Sequence, residues 1–330
     1  MILKKNLVLI TIILIIFSCT KEEKAADFVL KGHVFGTTYK IVYLNANKNH
    51  QKSIDSLFYL MNKSLSTYIP TSDISRINKG DSTVIVDDLF LEVFNKSKRI
   101  HKETNEYFDP TVGNLVNSWG FGPKREKRNL TEEEVKEQMQ FVGLDKVNIV
   151  NNKVQKLNPK IYLDFNSIAK GFGIDVVARF LSSKNIENFL IEIGGEIRAK
   201  GTKENKIPWV IKLVDPIKKD AEKGYKNINL SNKSMATSGN YRKFRLSENG
   251  QKFVHTINPK TGYAKESNLL SASVIASLDC ADVDAYATAL MAMGLKKSKE
   301  FLENHKNIDA ILLFVDLNGN LKEYQTNTYK

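Results

Sequence analysis

Residues 161–195 read IYLDFNSIAKGFGIDVVARFLSSKNIENFLIEIGG. Ile161–Phe165 has the alternation of an extended segment, Ser167–Ser183 has helical character, and Phe189–Ile193 alternates again before Gly194-Gly195 closes it. Strand, helix and strand in so short a stretch predict a mixed α/β or α+β architecture. Downstream, Trp209–Val214, Leu269–Ser277 and Ile308–Val315 supply further strands, and Asn318-Gly319 is a hairpin signal before Leu321–Tyr324. Upstream, a strand over Phe28–Leu44 breaks near Phe35-Gly36-Thr37-Thr38. Ile54, Leu57, Phe58, Met61 and Leu65 recur at helical spacing and give way to a polar loop, Ser66–Asn78. Asp87–Thr104 repeats the helical pattern, and Thr131 with Glu134 forms a capping box for a third helix. The chain contains no internal repeat and no low-complexity linker that would divide it.

The N-terminus has a different character. Lys4 and Lys5 precede the apolar run Leu7–Phe17, and Ser18-Cys19 follows, the layout of a secretory signal. The run is shorter than the roughly 17–25 residues a membrane-spanning helix needs. Ser-Cys after such a run resembles a bacterial lipoprotein box. This predicts a signal peptide over residues 1–18, a lipidated Cys19, a polar tether over 19–27 and a globular part over 28–330, exported and lipid-anchored outside the cytoplasm. The chain has two cysteines, so with Cys19 lipidated only Cys280 remains, and neither a disulfide nor a cysteine zinc site can form. The formal net charge is +12, spread over scattered lysines without the dense, aromatic-interleaved patch that nucleic-acid binding requires, and no nucleic-acid partner is expected.

Five segments could carry chemistry, the shortest being Thr237–Arg242, polar and Gly-centred, as suited to a tight turn as to a ligand loop. Ala281–Gly294 (ADVDAYATALMAMG) sets Asp284 and Thr288 one helical turn apart in an otherwise apolar stretch, where their oxygens and the Ala287 carbonyl could converge on a hard cation. Leu163–Gly171 places Asp164 at a strand end, Ser167 at a helix start and Lys170 one turn in. On spacing alone a simple helix cap with Asp164 solvated nearby is favoured over a phosphate site. His255–Gly262 holds one of five histidines in a Pro/Gly turn, either as a proton acceptor at a cleft edge or as a packed loop residue. Asn105–Pro123 groups Tyr107, Phe108, Trp119 and Phe121, a wall for a planar ring or a core plug. No GxGxxG or GxxxxGK[ST] is present, which argues against a Rossmann or P-loop solution.

Taken in order, these segments resemble the ApbE family of FAD:protein FMN transferases over nearly all of the chain beyond the leader. The resemblance rests on Phe35–Tyr39, Leu65–Tyr68 with Ser75–Asn78, Phe108–Val112 through Trp119–Pro123, Asp164–Asp175, Ile191–Glu196, Thr237–Arg242, His255–Gly262 and Ala281–Gly294. It implies a single α+β, T-fold-related domain of two intimately packed lobes with an FAD cleft between them. The activity implied is Mg²⁺-dependent transfer of FMN from FAD to a threonine hydroxyl of a partner protein, typically a membrane redox-complex subunit, with release of AMP. By the same resemblance Phe35, Tyr68, Tyr107, Phe108, Asp109, Asp164, Lys170 and Ile257 contact FAD. Ser167, Asp284, Ala287 and Thr288 hold Mg²⁺, and His255 is the candidate base beside Asp284. Two positions depart from the family: Phe35 stands where many members have Met, and Ala287 where some have Asp, leaving only a carbonyl there. Two other readings use the same residues, a Mg²⁺-dependent FAD pyrophosphatase giving FMN and AMP, and a non-catalytic flavin-binding lipoprotein.

Overall fold

The computed structural model describes residues 25–123, 129–217, 224–240, 244–246, 252–264 and 267–326. The expected signal, Cys19 and most of the tether lie outside these residues. The tether does not extend to Asp27, because Ala26 and Asp27 already belong to β1 (Ala26–Val34) and Asp27 accepts the Asn45 N–H at 3.0 Å. β2 (Thr37–Ala46) follows through a two-residue turn in which Phe35 and Gly36 have φ of 51° and 73°. Positive φ at both central residues suits the right-handed twist of a hairpin, so the expected break is a reversal.

α1 (Gln51–Leu65) buries Ile54, Phe58, Met61 and Leu65, the helical stripe anticipated from their spacing. The segment expected to be a loop contains a helix, α2 (Asp73–Asn78), capped by Ser72. α3 (Asp88–Glu103) is capped by Asp87, whose carboxylate accepts the Phe90 N–H at 2.9 Å. α4 (Gly113–Ser118) and α5 (Glu132–Met139) follow, the latter with the Thr131–Glu134 capping box in place. After a small hairpin, β3 (Val147–Val150) with β4 (Lys153–Lys156), the chain reaches Ile161–Phe165. This stretch is extended and buries Ile161, Leu163 and Phe165, yet it forms only an isolated bridge with Val112. The Asn78 amide takes the place of a strand partner, bonding both the N–H and the C=O of Leu163 at 2.8 Å.

α6 (Ala169–Ser183), β5 (Phe189–Ile193), β6 (Glu196–Lys200), β7 (Trp209–Leu213), β8 (Lys226–Leu230), β9 (Lys233–Gly239), β10 (Phe244–Leu246), β11 (Lys252–Val254), β12 (Leu269–Ala276), α7 (Cys280–Asn304), β13 (Asp309–Val315) and β14 (Leu321–Gln325) complete the domain. The principal sheet is antiparallel throughout, in the order β1-β2-β5-β6-β9-β12-β13-β14. Side chains alternate across it: Val274 and Leu312 join the core made with α1, α6 and α7, while Ile275 and Leu313 join a second core with Trp209, Ile211 and Leu230. Helices therefore cover one face and the β7–β8 hairpin the other, an α+β single domain. A third cluster, Leu115, Trp119, Val135, Val142, Ile257 and Ala264, packs α4 and α5 against the His255–Gly262 turn.

Candidate active site

A cavity of about 750 Å³ opens where these units meet, within the roughly 300–1,000 Å³ typical of ligand pockets. One wall is apolar: Tyr107, Phe108, Val112, Val116 and Phe121, from the loop after α3 and from α4, with Tyr68 at the rim. Thr237, Ser238 and Gly239 at the end of β9, His255 to Ile257, and Val210 to Leu213 of β7 line other sides. Trp119 is not part of the wall. It is buried, and its indole N–H donates to the Gly262 carbonyl at 2.9 Å, tying α4 to the histidine turn. Asp109 folds the loop: one carboxylate oxygen accepts the Thr111 N–H and hydroxyl at 2.8 and 2.6 Å, the other the Leu144 N–H at 3.2 Å. Burial outweighs these bonds and raises its pKa.

The polar end is built from the start of α6, the β5–β6 turn and α7. Asp284, 2% exposed, accepts the Gly171 N–H at 3.1 Å and faces the Lys170 ammonium at 3.8 Å. Lys170 bonds Glu196 at 2.5 Å. The second oxygen of Glu196, Oε2, is buried without a hydrogen-bond partner among the described residues. Burial, with Glu196 adding repulsion, pushes Asp284 up to about 7 although Lys170 opposes the shift. Burial pulls the Lys170 ammonium down, but the Asp284 and Glu196 carboxylates outweigh it and hold the group above the lysine range. Burial likewise raises Asp164, which accepts the Asn166 N–H at 2.8 Å. The Thr288 and Ser238 hydroxyls are 3.2 Å apart.

Asp175 sets the position of α7. Its two oxygens accept the N–H groups of Cys280 and Ala281, both at 2.8 Å, satisfying the first amides of the helix that carries Asp284. Arg198 bridges Asp175 and Asp279, Lys96 bridges Asp279 and Asp282, and Arg99 also pairs with Asp282. Burial pushes Asp175 up to about 6 despite Arg198. Burial also works to raise Asp279, but Lys96 and Arg198 hold it at about 2.

Tyr68, Tyr107, Phe108, Asp109, Asp164, Ser167, Lys170, His255, Ile257, Asp284 and Thr288 thus all line one cavity. Phe35 and Ala287 do not. Phe35 packs edge-on against Phe58, ring centroids 5.6 Å apart, just before the lining residues Thr37 and Thr38. Ala287 is fully buried within α7. Glu192, Glu196, Thr237 and Ser238, which fall in the Ile191–Glu196 and Thr237–Arg242 segments but carry no assigned role there, also line it, as does the β7 segment, which the sequence marks only as a strand. An acid directly after the Gly-Gly that closes a buried strand was the signal for Glu196. Nothing local distinguishes β7, which reaches the cavity only by folding over the sheet.

The ApbE family model matches residues 35–312. A Haemophilus influenzae protein named FAD:protein FMN transferase is 35% identical, with 98% of this chain and 96% of the relative covered. A Vibrio cholerae protein of the same name is 34% identical, with 98% and 97% covered. Among solved structures, the flavin transferase ApbE from Vibrio cholerae superposes with a TM-score of 0.80 at 34% identity, covering 92% of this chain and 98% of that one. The Pseudomonas stutzeri flavinyl transferase ApbE in its apo form gives 0.82 at 27% identity, covering 93% and 96%.

Proposed function

The chain belongs to the ApbE family, and on that premise we propose that it transfers the FMN moiety of FAD to a threonine hydroxyl of an acceptor protein, releasing AMP in a Mg²⁺-dependent reaction. The observation that carries the reading is a single cavity with an aromatic wall at one side and the Asp284–Lys170–Glu196 cluster at the other. An isoalloxazine ring suits the first and a diphosphate the second.

The donor set suits a hard cation. Asp284, Thr288 and Ser167 offer a carboxylate and two hydroxyls on the cavity wall, and the orphaned Glu196 oxygen lacks a positive partner. Mg²⁺ held by Asp284, Thr288 and Ser167 would supply charge neutralisation at the diphosphate. The other tasks fall to the chain itself. Tyr107 and Phe108 orient the ring, and Lys170 adds positive charge near the phosphates. His255, on the same cavity, accepts the proton of the threonine hydroxyl as its oxygen attacks phosphorus. The new P–O bond joins FMN to the acceptor, the old one breaks, and AMP departs. The acceptor is a membrane redox-complex subunit, met outside the cytoplasm by a lipid-anchored enzyme.

Mass spectrometry of an acceptor incubated with FAD, Mg²⁺ and this protein tests the reading, with FMN mass added on a threonine as the expected result. Asp284→Ala should abolish the transfer, and full activity in that variant would sink the metal assignment. Rapid AMP release from FAD without acceptor would favour the pyrophosphatase instead. FAD binding with no AMP under any condition would favour a carrier.

A further inference from the structure

Behind the aromatic wall, a ring nitrogen of His101 and carboxylate oxygens of Glu106 and Asp145 all lie within 4.8 Å of one another. These residues come from the last turn of α3, the loop after it and the single turn Leu144–Lys146. His101 is 4% exposed, and its Nδ1–H donates to the Phe108 carbonyl at 2.9 Å. In the neutral ring that bond places the proton on Nδ1 and the lone pair on Nε2, which makes no hydrogen bond among the described residues. An imidazole held through its other nitrogen by a carbonyl is the arrangement of a metal-ligating histidine. Glu106 is turned back toward it: Asn105 and Glu106 have φ of 50° and 64°, and the Glu106 N–H donates to the His101 carbonyl at 2.7 Å. Asp109 draws in the third ligand's segment, accepting the Leu144 N–H at 3.2 Å while lying 3.6 Å from His101 Nδ1.

We propose that His101, Glu106 and Asp145 form a second metal site, distinct from the cavity, that takes a transition-metal dication of the zinc type. One neutral imidazole and two carboxylates balance a dication, and a water completes four-coordination. Imidazole selects against Mg²⁺, which prefers oxygen donors. Ligand atoms around tetrahedral zinc stand about 3.4 Å apart, and the two exposed carboxylates close the remaining gap by rotating. Glu106 already contacts the Lys260 ammonium, which competes with the ion for that carboxylate. The bound ion would fasten the loop carrying Tyr107 and Phe108 to the Leu144–Lys146 turn. Its effect on flavin affinity rests on the transferase reading, whereas the binding of the ion does not.

The test is calorimetric titration of metal-free protein with Zn²⁺ alone, without FAD or acceptor, so its outcome is independent of the activity. Asp284→Asn protein is expected to retain one Zn²⁺ equivalent at low micromolar concentration. Glu106→Gln combined with Asp145→Asn should weaken that equivalent at least tenfold, and Lys260→Met should tighten it severalfold by removing the competing cation. Zn²⁺ should also raise the melting temperature of Asp284→Asn protein and not of the same protein carrying the double substitution. Both acids are exposed, and circular dichroism of the metal-free variants checks that they fold. Equal Zn²⁺ affinity with and without the double substitution in Asp284→Asn protein, unchanged affinity in Lys260→Met, or loss of all Zn²⁺ uptake in Asp284→Asn would each overturn the proposal.

Discussion

Gly171 lies in the first turn of α6, where alanine would ordinarily stabilise a helix by about 1 kcal/mol. Here the sign reverses. A Cβ at Gly171 would lie 2.3 Å from the Cys280 carbonyl oxygen and 2.7 Å from the Ala281 nitrogen. Non-bonded carbon contacts sit at about 3.5–4.0 Å, so α6 and α7 must part by roughly 1 Å. The obstacle is backbone, and no rotamer change relieves it. Overpacking of this kind costs about 1–3 kcal/mol. Separation also stretches the 3.1 Å bond from the Gly171 N–H to Asp284, and a hydrogen bond to a charged group contributes about 1.5–3 kcal/mol. Offset by the helix-propensity gain, Gly171→Ala should destabilise the protein by about 2–4 kcal/mol in urea unfolding. It also shifts Asp284 by a distance that costs about 100-fold in rate when a reacting constellation is misplaced, measured as FMN transfer. Gly173→Ala is the control, because its Cβ would meet the edge of the Phe35 ring at 2.6 Å, a half-buried side chain that can turn aside. That variant should stay within about 1 kcal/mol of the parent. If Gly171→Ala is as stable and as active as the parent, or if the two variants behave alike, the close backbone approach does not set the site.

Trp119→Phe removes the indole donor to the buried Gly262 carbonyl, so unfolding free energy should fall by about 1–3 kcal/mol. Transfer should slow severalfold as the His255–Gly262 turn loosens, and an unchanged rate would detach that turn from the chemistry. Asp175 makes the pH dependence specific. Its folded pKa, raised to about 6 from an unfolded value near 3.9, means that its stabilising contribution is fully present below the unfolded value and is lost as pH rises through 6. Acidification from pH 7.5 to 4.5 should therefore favour the parent over Asp175→Asn by roughly 2 kcal/mol in denaturant unfolding. Parallel stability–pH curves for the two proteins would contradict it.

Helices with strong periodicity or caps were legible in the sequence, and so was β5. The stripe from Ile54 to Leu65 and the Thr131–Glu134 pair each encode their element within one or two turns. What was not legible depends on partners distant in the chain. Ile161–Phe165 has the alternation of a strand, yet its neighbour is the amide of Asn78 rather than another strand. The helix at Asp73–Asn78 is too short to show a period and announces itself only through its Ser72 cap. The cavity residues were visible where they fell in turn-rich or acid-bearing segments. β7 was visible as a strand, but its place at the cavity depends on a hairpin crossing the far face of the sheet, which no local pattern records. Phe35 has the composition of a ring contact, but the positive φ of its turn directs the side chain onto Phe58.

The contrast between two charge clusters on α7 bears on where a ligand belongs. Asp282 and Asp284 are two residues apart, about 200° around a helix, and so face different ways. Asp282 joins Asp175 and Asp279 in a network where every carboxylate meets Arg198, Lys96 or Arg99. That network is closed, and its work is to hold the helix start. Asp284 and Glu196 share the single ammonium of Lys170, and one Glu196 oxygen has no partner among the described residues. A buried carboxylate that is not compensated shifts its pKa upward, as Asp284 does, or takes up a cation. The cavity lies on this second side, beside Thr288 one turn further along the same face. The charge deficit and the space for a ligand coincide there, which is the physical reason the proposed cation is assigned to Asp284 rather than to the neighbouring acid.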